Sequence, residues 1–152
     1  MPMGINALLL AAGQGTRLRP HTLDWPKCLM PIKGRPLLEY WIFLLDQLRI
    51  QNILVNTHHQ KEIMEEFLNR ERFSGRVSYT YEPKFLGTGG TLLANKDFFR
   101  AKTTLFIHAD NWCHCDFQGF IDFHRYHRPR NTVMTMMTFR TSTPTSCGIV
   151  EL

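Results

Sequence analysis

The sequence predicts an α/β fold, a mostly parallel sheet with helices on both faces. Two observations carry this. Strand-like apolar runs alternate with helical patterns along the chain. The unusual loops, rich in glycine and charge, fall after the carboxyl ends of the first, third and fourth strands, where ligands bind in such sheets. At 152 residues the chain is expected to be one domain, long enough to bury a core.

The first strand is expected over Ile5 to Leu10, a wholly apolar run suited to burial on both faces. Arg35-Pro36 is expected to open a helix, with proline in the first turn where its missing N–H costs nothing. Trp41, Leu44, Leu45 and Leu48 then recur at helical spacing as the face that packs on the sheet. Ile53 to Asn56 predicts a second strand. A second helix follows over His59 to Leu68, with Ile63, Phe67 and Leu68 inward. Arg76 to Tyr81 predicts a third strand, Thr88 to Asn95 a helix, and Thr103 to His108 a fourth strand. Asp116 can cap a helix running to about Tyr126, its carboxylate accepting unpaired backbone N–H groups. Thr132 to Phe139 predicts a fifth strand, and Gly148 to Leu152 the start of a sixth. From Gly13 to Arg35 no regular pattern appears, and so long a loop in a compact domain is usually functional.

The net charge of +5 suits a phosphate site, and its basic residues are scattered rather than gathered into a nucleic-acid arm. The Ala7–Ala12 apolar run has no basic segment before it and leads straight into glycines, so it predicts a strand and not a signal peptide. No apolar stretch approaches the ~20 residues needed to span a bilayer. A cytoplasmic protein without membrane or nucleic-acid partners, able to form homo-oligomers, is the expectation. The four cysteines do not suggest a disulfide framework. Cys113-His114-Cys115, with His124 and His127 downstream, invites a zinc reading, but its one-residue gap is not the usual ligand spacing.

Three constellations suggest chemistry. In Leu10-Ala11-Ala12-Gly13-Gln14-Gly15-Thr16-Arg17-Leu18-Arg19-Pro20, small residues after a strand let the backbone approach a ligand and turn N–H groups toward phosphate oxygens. Arg17 and Arg19 add charge-assisted donors. No Gly-Lys-Ser/Thr follows, so this is not a Walker loop, and the dinucleotide fingerprint is not matched either. The second is Glu82-Pro83-Lys84-Phe85-Leu86-Gly87-Thr88-Gly89-Gly90. A carboxylate only accepts hydrogen bonds, so Glu82 is a candidate acceptor at the end of the third strand. The third is His108-Ala109-Asp110, a carboxylate at the end of an apolar strand, well placed to hold Mg²⁺.

The first string, continued by Pro26-Lys27-Cys28-Leu29-Met30-Pro31 and Gly34-Arg35-Pro36-Leu37-Leu38-Glu39-Tyr40, resembles the signature of the sugar-1-phosphate nucleotidyltransferases. The resemblance implies the nucleotide-diphospho-sugar transferase fold, a Rossmann-like sheet, and transfer of a nucleotidyl group from an NTP to a sugar 1-phosphate with release of pyrophosphate. It implies that Leu10, Ala11, Ala12, Gly13, Gly15, Thr16 and Arg17 bind the nucleotide, with Arg17 on the triphosphate and Lys27 on phosphate near the reacting centre. It also implies that Glu82, Gly87 and Thr88 meet the base, that Asp110 holds the metal, and that the Gly148 backbone touches the sugar. Arg17, Lys27 and Asp110 are thus the candidate catalytic residues, and Glu82 tilts the expected nucleotide toward GTP. Ala109 stands where the family usually has glycine. The family's second metal-binding aspartate and its Glu-Lys-Pro segment do not occur in the 152 residues, so residues 1–152 are expected to be an incomplete nucleotide-binding domain. A non-catalytic nucleotide- or sugar-sensing regulatory domain is the alternative.

Overall fold

The computed structural model of the protein describes residues 4–100, 103–146 and 150. The chain forms two compact units, Met1–Cys113 and His114–Leu152.

The first unit is built on a four-stranded sheet in the order β5-β4-β1-β6, parallel throughout. Its strands are β1 (Ile5–Leu10), β4 (Asn52–Thr57), β5 (Val77–Tyr81) and β6 (Thr103–His108). Position in the sheet explains the two kinds of strand sequence. β1 and β4 are central, covered on both faces, and their middles are continuously buried: Ala7 to Leu9 and Ile53 to Val55. β6 lies at an edge and alternates, with Leu105 and Ile107 buried and Phe106 exposed. Leu8, Leu54 and Phe99 form one core cluster, against which Leu10, Leu92 and Phe98 pack.

Helix α1 (Leu37–Gln47) begins one residue after Pro36, not at Arg35-Pro36 as predicted. Those two residues form a short strand, β3 (Arg35–Pro36), paired antiparallel with β2 (Pro31–Ile32). Lys33 and Gly34 between them both take positive φ, which a two-residue hairpin of the primed type requires. The buried stripe of α1 is Leu38, Trp41, Ile42 and Leu45, displaced from the predicted one. Leu44 and Leu48 are only half-buried. In α2 (Lys61–Leu68) Met64, not Ile63, joins Phe67 and Leu68 in the core. Both shifts have one cause. Apolar residues outnumber the inward positions, and the crossing of helix on sheet selects which of them face in. Helix α3 (Gly87–Ala94) is followed at once by the short α4 (Lys96–Phe99), which brings Phe99 to the core.

In the second unit Asp116 caps α5 (Phe117–Asp122), its Oδ1 accepting from the Gly119 amide at 2.8 Å. The helix widens into a π-turn over Phe123–His127, within the predicted reach. Thr132 to Phe139 is a correction: this segment joins no ladder among the described residues, and Val133, Met134 and Phe139 are exposed. Its composition has strand propensity, but propensity without a paired partner does not make a strand. The predicted sixth strand and Gly148 fall mostly or wholly outside the described residues. Among the described residues no helix is long and apolar enough to cross a membrane.

Candidate active site

The strand order places β1 between β4 and β6, so the chain leaves β1 toward one side and returns through β6 on the other. Such a reversal opens a crevice at the carboxyl ends of the strands. Register fixes what lies there. Leu10 pairs with Asn56 and with His108, and the ladder continues as the Ala109 amide donates to the Leu10 carbonyl at 3.0 Å. On the other flank the Glu82 amide donates to the Thr57 carbonyl at 2.8 Å. The residues just beyond all four strands therefore share one edge.

A cleft open to solvent occupies this edge. Eight of the expected site residues line it: Leu10, Ala11, Ala12 and Gly13 from the first loop, Lys27, Gly87, Thr88, and Asp110. Lys27 Nζ donates to Asp110 Oδ2 at 2.6 Å. The two side chains are 20% and 32% exposed, so the pair is neither buried nor fully solvated. Lys27 sits in a short 3₁₀ turn, Lys27–Leu29, that follows Pro26. Asp110 sits two residues past β6. One cation and one carboxylate 83 positions apart in the sequence thus meet beside the glycine-rich loop. An ammonium carries three donors, so Lys27 can keep Asp110 and still bind a phosphate oxygen.

The long loop is held rather than loose. Gly15 has φ 62°, and a Cβ there would stand 2.9 Å from Thr22 Cγ2 and 3.0 Å from Lys27 Cβ. Glycine is needed both for the left-handed backbone and for the close approach. Thr22 Oγ1 donates to the Gly15 carbonyl at 2.7 Å. His59 Nε2 lies 3.0 Å from the Thr22 carbonyl, and Gln60 Nε2 donates to the Leu23 carbonyl at 2.6 Å. The β4–α2 connection therefore anchors the loop that carries Arg17. The stretch expected to lack regular structure contains two 3₁₀ turns and the β2–β3 ribbon.

Gly15, Thr16, Arg17 and Glu82 do not line the cleft. Arg17 is exposed on the turn Thr16–Leu18. Glu82 is the larger correction. It is only 2% exposed, and its carboxylate is engaged inside the protein. Oε1 accepts from Asn56 Nδ2 at 3.0 Å and contacts the Thr91 hydroxyl, while Oε2 accepts from the Leu86 amide at 3.1 Å. A carboxylate so occupied stands behind the cleft wall, not on it.

Four lining residues lie outside the expected set: Cys28, Asn56, Phe85 and His108. A polar residue directly after the apolar run Ile53–Val55 is the signal that marks Asn56, and an aromatic within a glycine-rich loop marks Phe85. Cys28 is not a nucleophile. Burial pushes its thiol up to about 12, with the Asp110 charge adding to the rise, and Sγ packs 3.6 Å from Met64 Sδ. In the second unit His124 titrates below its ordinary range, through burial first and then the Arg128 and Arg125 charges. Its Nδ1 lies 2.9 Å from Thr135 Oγ1. Among the described residues no three His, Cys, Asp or Glu side chains converge as a metal cage. Asp110 nevertheless fits Mg²⁺, which takes one or two carboxylates and completes its shell with water and substrate phosphates.

The description "Nucleotidyl transferase" belongs to the family model that matches residues 6–152. The mannose-1-phosphate guanylyltransferase of Mycobacterium tuberculosis is 29% identical over 147 residues, covering 96% of this chain and 40% of the relative. The mannose-1-phosphate guanyltransferase of Saccharomyces cerevisiae is 27% identical over 150 residues, covering 96% and 41%. Among solved structures, a putative glucose-1-phosphate thymidylyltransferase from Bacillus anthracis superposes with a TM-score of 0.71 at 25% identity, over 78% of this chain and 49% of that one. HddC from Yersinia pseudotuberculosis, complexed with GMP-PN, gives 0.67 at 26% identity, over 77% and 52%. The chain spans about 40% of the length of the curated relatives it matches.

Proposed function

Because this chain belongs to the nucleotidyl transferase family, we propose that it forms the nucleotide-binding part of an enzyme that transfers a nucleotidyl group from an NTP to a sugar 1-phosphate. The observation that carries the reading is the Lys27–Asp110 pair at 2.6 Å, set in the cleft beside Leu10 to Gly13 at the sheet's reversal point.

A sugar phosphate is mostly dianionic at pH 7, its second pKa being about 6, so the nucleophile needs no general base. One of its oxygens forms a bond to the α-phosphorus, the α–β bridging P–O bond breaks in line, and pyrophosphate departs with the electron pair. The protein's work is then positioning and charge neutralisation. The Leu10–Gly13 backbone lies against the nucleotide, Lys27 donates to phosphate oxygens at the reacting centre, and Arg17 meets the triphosphate from the solvent side of the loop. Mg²⁺ held by Asp110 and the phosphates would supply further charge neutralisation.

GTP is the favoured nucleotide. The support is the guanylyl transfer for which the two relatives are named and the GMP-PN complex of HddC, not Glu82, whose carboxylate faces inward. Pyrophosphate release by the natural full chain, with GTP, Mg²⁺ and a sugar 1-phosphate, tests the proposal. Nucleotide binding without pyrophosphate release under any combination would favour a regulatory, nucleotide-sensing role instead.

A further inference from the structure

Asn56, Glu82 and Thr91 make a buried polar cluster that the proposed chemistry does not use. They are 2%, 2% and 0% exposed, and come from the ends of β4 and β5 and from α3. The wiring is determined by donor and acceptor chemistry. The Ala11 amide can only donate, and the Asn56 atom 2.7 Å from it must be Oδ1. That choice turns Nδ2 and its two hydrogens toward Glu82 Oε1 at 3.0 Å and Thr91 Oγ1 at 3.1 Å. Glu82 Oε2 holds the Leu86 amide, and Thr91 Oγ1 lies 2.9 Å from the Gly87 carbonyl. The cluster therefore grips both lips of the cleft, Ala11 on one side and Leu86-Gly87 on the other. Among the described residues Glu82 makes no salt bridge. A buried carboxylate satisfied by neutral donors is costly to disturb, because losing one donor exposes its full desolvation penalty.

We propose that Asn56 is a positioning residue for nucleotide binding: through Glu82 and Thr91 it sets the spacing of the Ala11 and Gly87 lips between which the nucleotide enters. The proposal rests on the nucleotide-binding reading of the cleft. Asn56→Asp keeps the acceptor for Ala11 but sets a second carboxylate against Glu82, whereas Asn56→Asp with Glu82→Gln restores a donor–acceptor pair and the original charge.

The test uses the natural full chain, with titration calorimetry of GTP and Mg²⁺ beside hydrogen exchange of the peptide containing Ala11. Asn56→Asp should weaken GTP binding about tenfold and speed exchange at Ala11, and the double variant should return within about threefold of wild type, a coupling of ordinary size for contacting residues. Thr91→Val, nearly isosteric and less disruptive to folding, should weaken binding about threefold, and Thr91→Ser should restore it. Rescue by the swapped pair is what a merely space-filling role would not give. Unchanged affinity in Asn56→Asp and Thr91→Val, or a double variant no better than Asn56→Asp, would overturn the positioning role while leaving the nucleotide site standing. Wild-type protein that binds no nucleotide would overturn both.

Discussion

Replacing Lys27 separates catalysis from stability in this fold. Its ammonium is paired with Asp110 at 2.6 Å, but the side chains are 20% and 32% exposed, so solvent screens the pair. Such partly solvated pairs contribute about 1 kcal/mol or less to folding. A preorganised donor at a centre where charge develops is worth more, about 10² in rate, or about 2.7 kcal/mol of barrier. Lys27→Met, which keeps most of the aliphatic stem, should therefore reduce kcat by about 10² or more while shifting the melting temperature by only a few degrees. Lys27→Ala should do the same with a slightly larger loss of stability. Pyrophosphate release measures the first quantity and thermal melting by circular dichroism the second. A variant retaining more than about a third of wild-type turnover would refute the assignment. So would activity that falls only in step with the folded fraction.

Asp110→Asn should lower turnover by a similar factor of about 10² and raise the Mg²⁺ concentration needed for half-maximal rate, measured by metal titration. Gly15→Ala forces a Cβ to within 2.9 Å of Thr22 at a φ of 62°, and should cost about 1–3 kcal/mol in urea unfolding. Glu82→Gln should change the affinities for GTP and UTP by the same factor, since its carboxylate faces Asn56, Thr91 and Leu86 rather than the base. A selective loss of GTP binding would contradict this. Cys28 holds its proton to about pH 12 when folded against about 9 when unfolded, so below pH 9 it adds no pH dependence. Above that Cys28 ionises only in the unfolded chain, contributing a fall in stability of about 1.4 kcal/mol per pH unit, a contribution that Cys28→Ala should remove in denaturant titrations.

The central strands β1 and β4 were legible through their apolar runs Ala7–Leu10 and Ile53–Val55, and β1 and β6 begin and end where the sequence pattern predicts. Part of the cleft was legible too: Leu10 to Gly13 and Asp110 through local residue chemistry, Lys27 through the family resemblance. What could not be read depends on contacts distant in sequence. The α1 stripe is set by how the helix lies on the sheet, which selects Leu38 and Ile42 over Leu44 and Leu48. Thr132 to Phe139 has the composition of a strand and no ladder partner among the described residues. The orientation of Glu82 could not be read, because whether a carboxylate faces a cleft or an asparagine across the sheet is a tertiary fact. Asn56 shows in the sequence only as a polar residue after an apolar run; its place in the cluster is a tertiary fact, since its three partners lie 45, 26 and 35 positions away.

The most direct test of the functional account is a turnover measurement on the natural full chain. Purified protein would be incubated with Mg²⁺, each of GTP, UTP, dTTP, CTP and ATP, and a panel of hexose and heptose 1-phosphates, with pyrophosphate release followed continuously. The account predicts release that requires both substrates together, is greatest with GTP, is abolished by chelation of the metal, and falls about 10² in Lys27→Met. Absence of release with every nucleotide and sugar phosphate, or release undiminished in Lys27→Met, would contradict it.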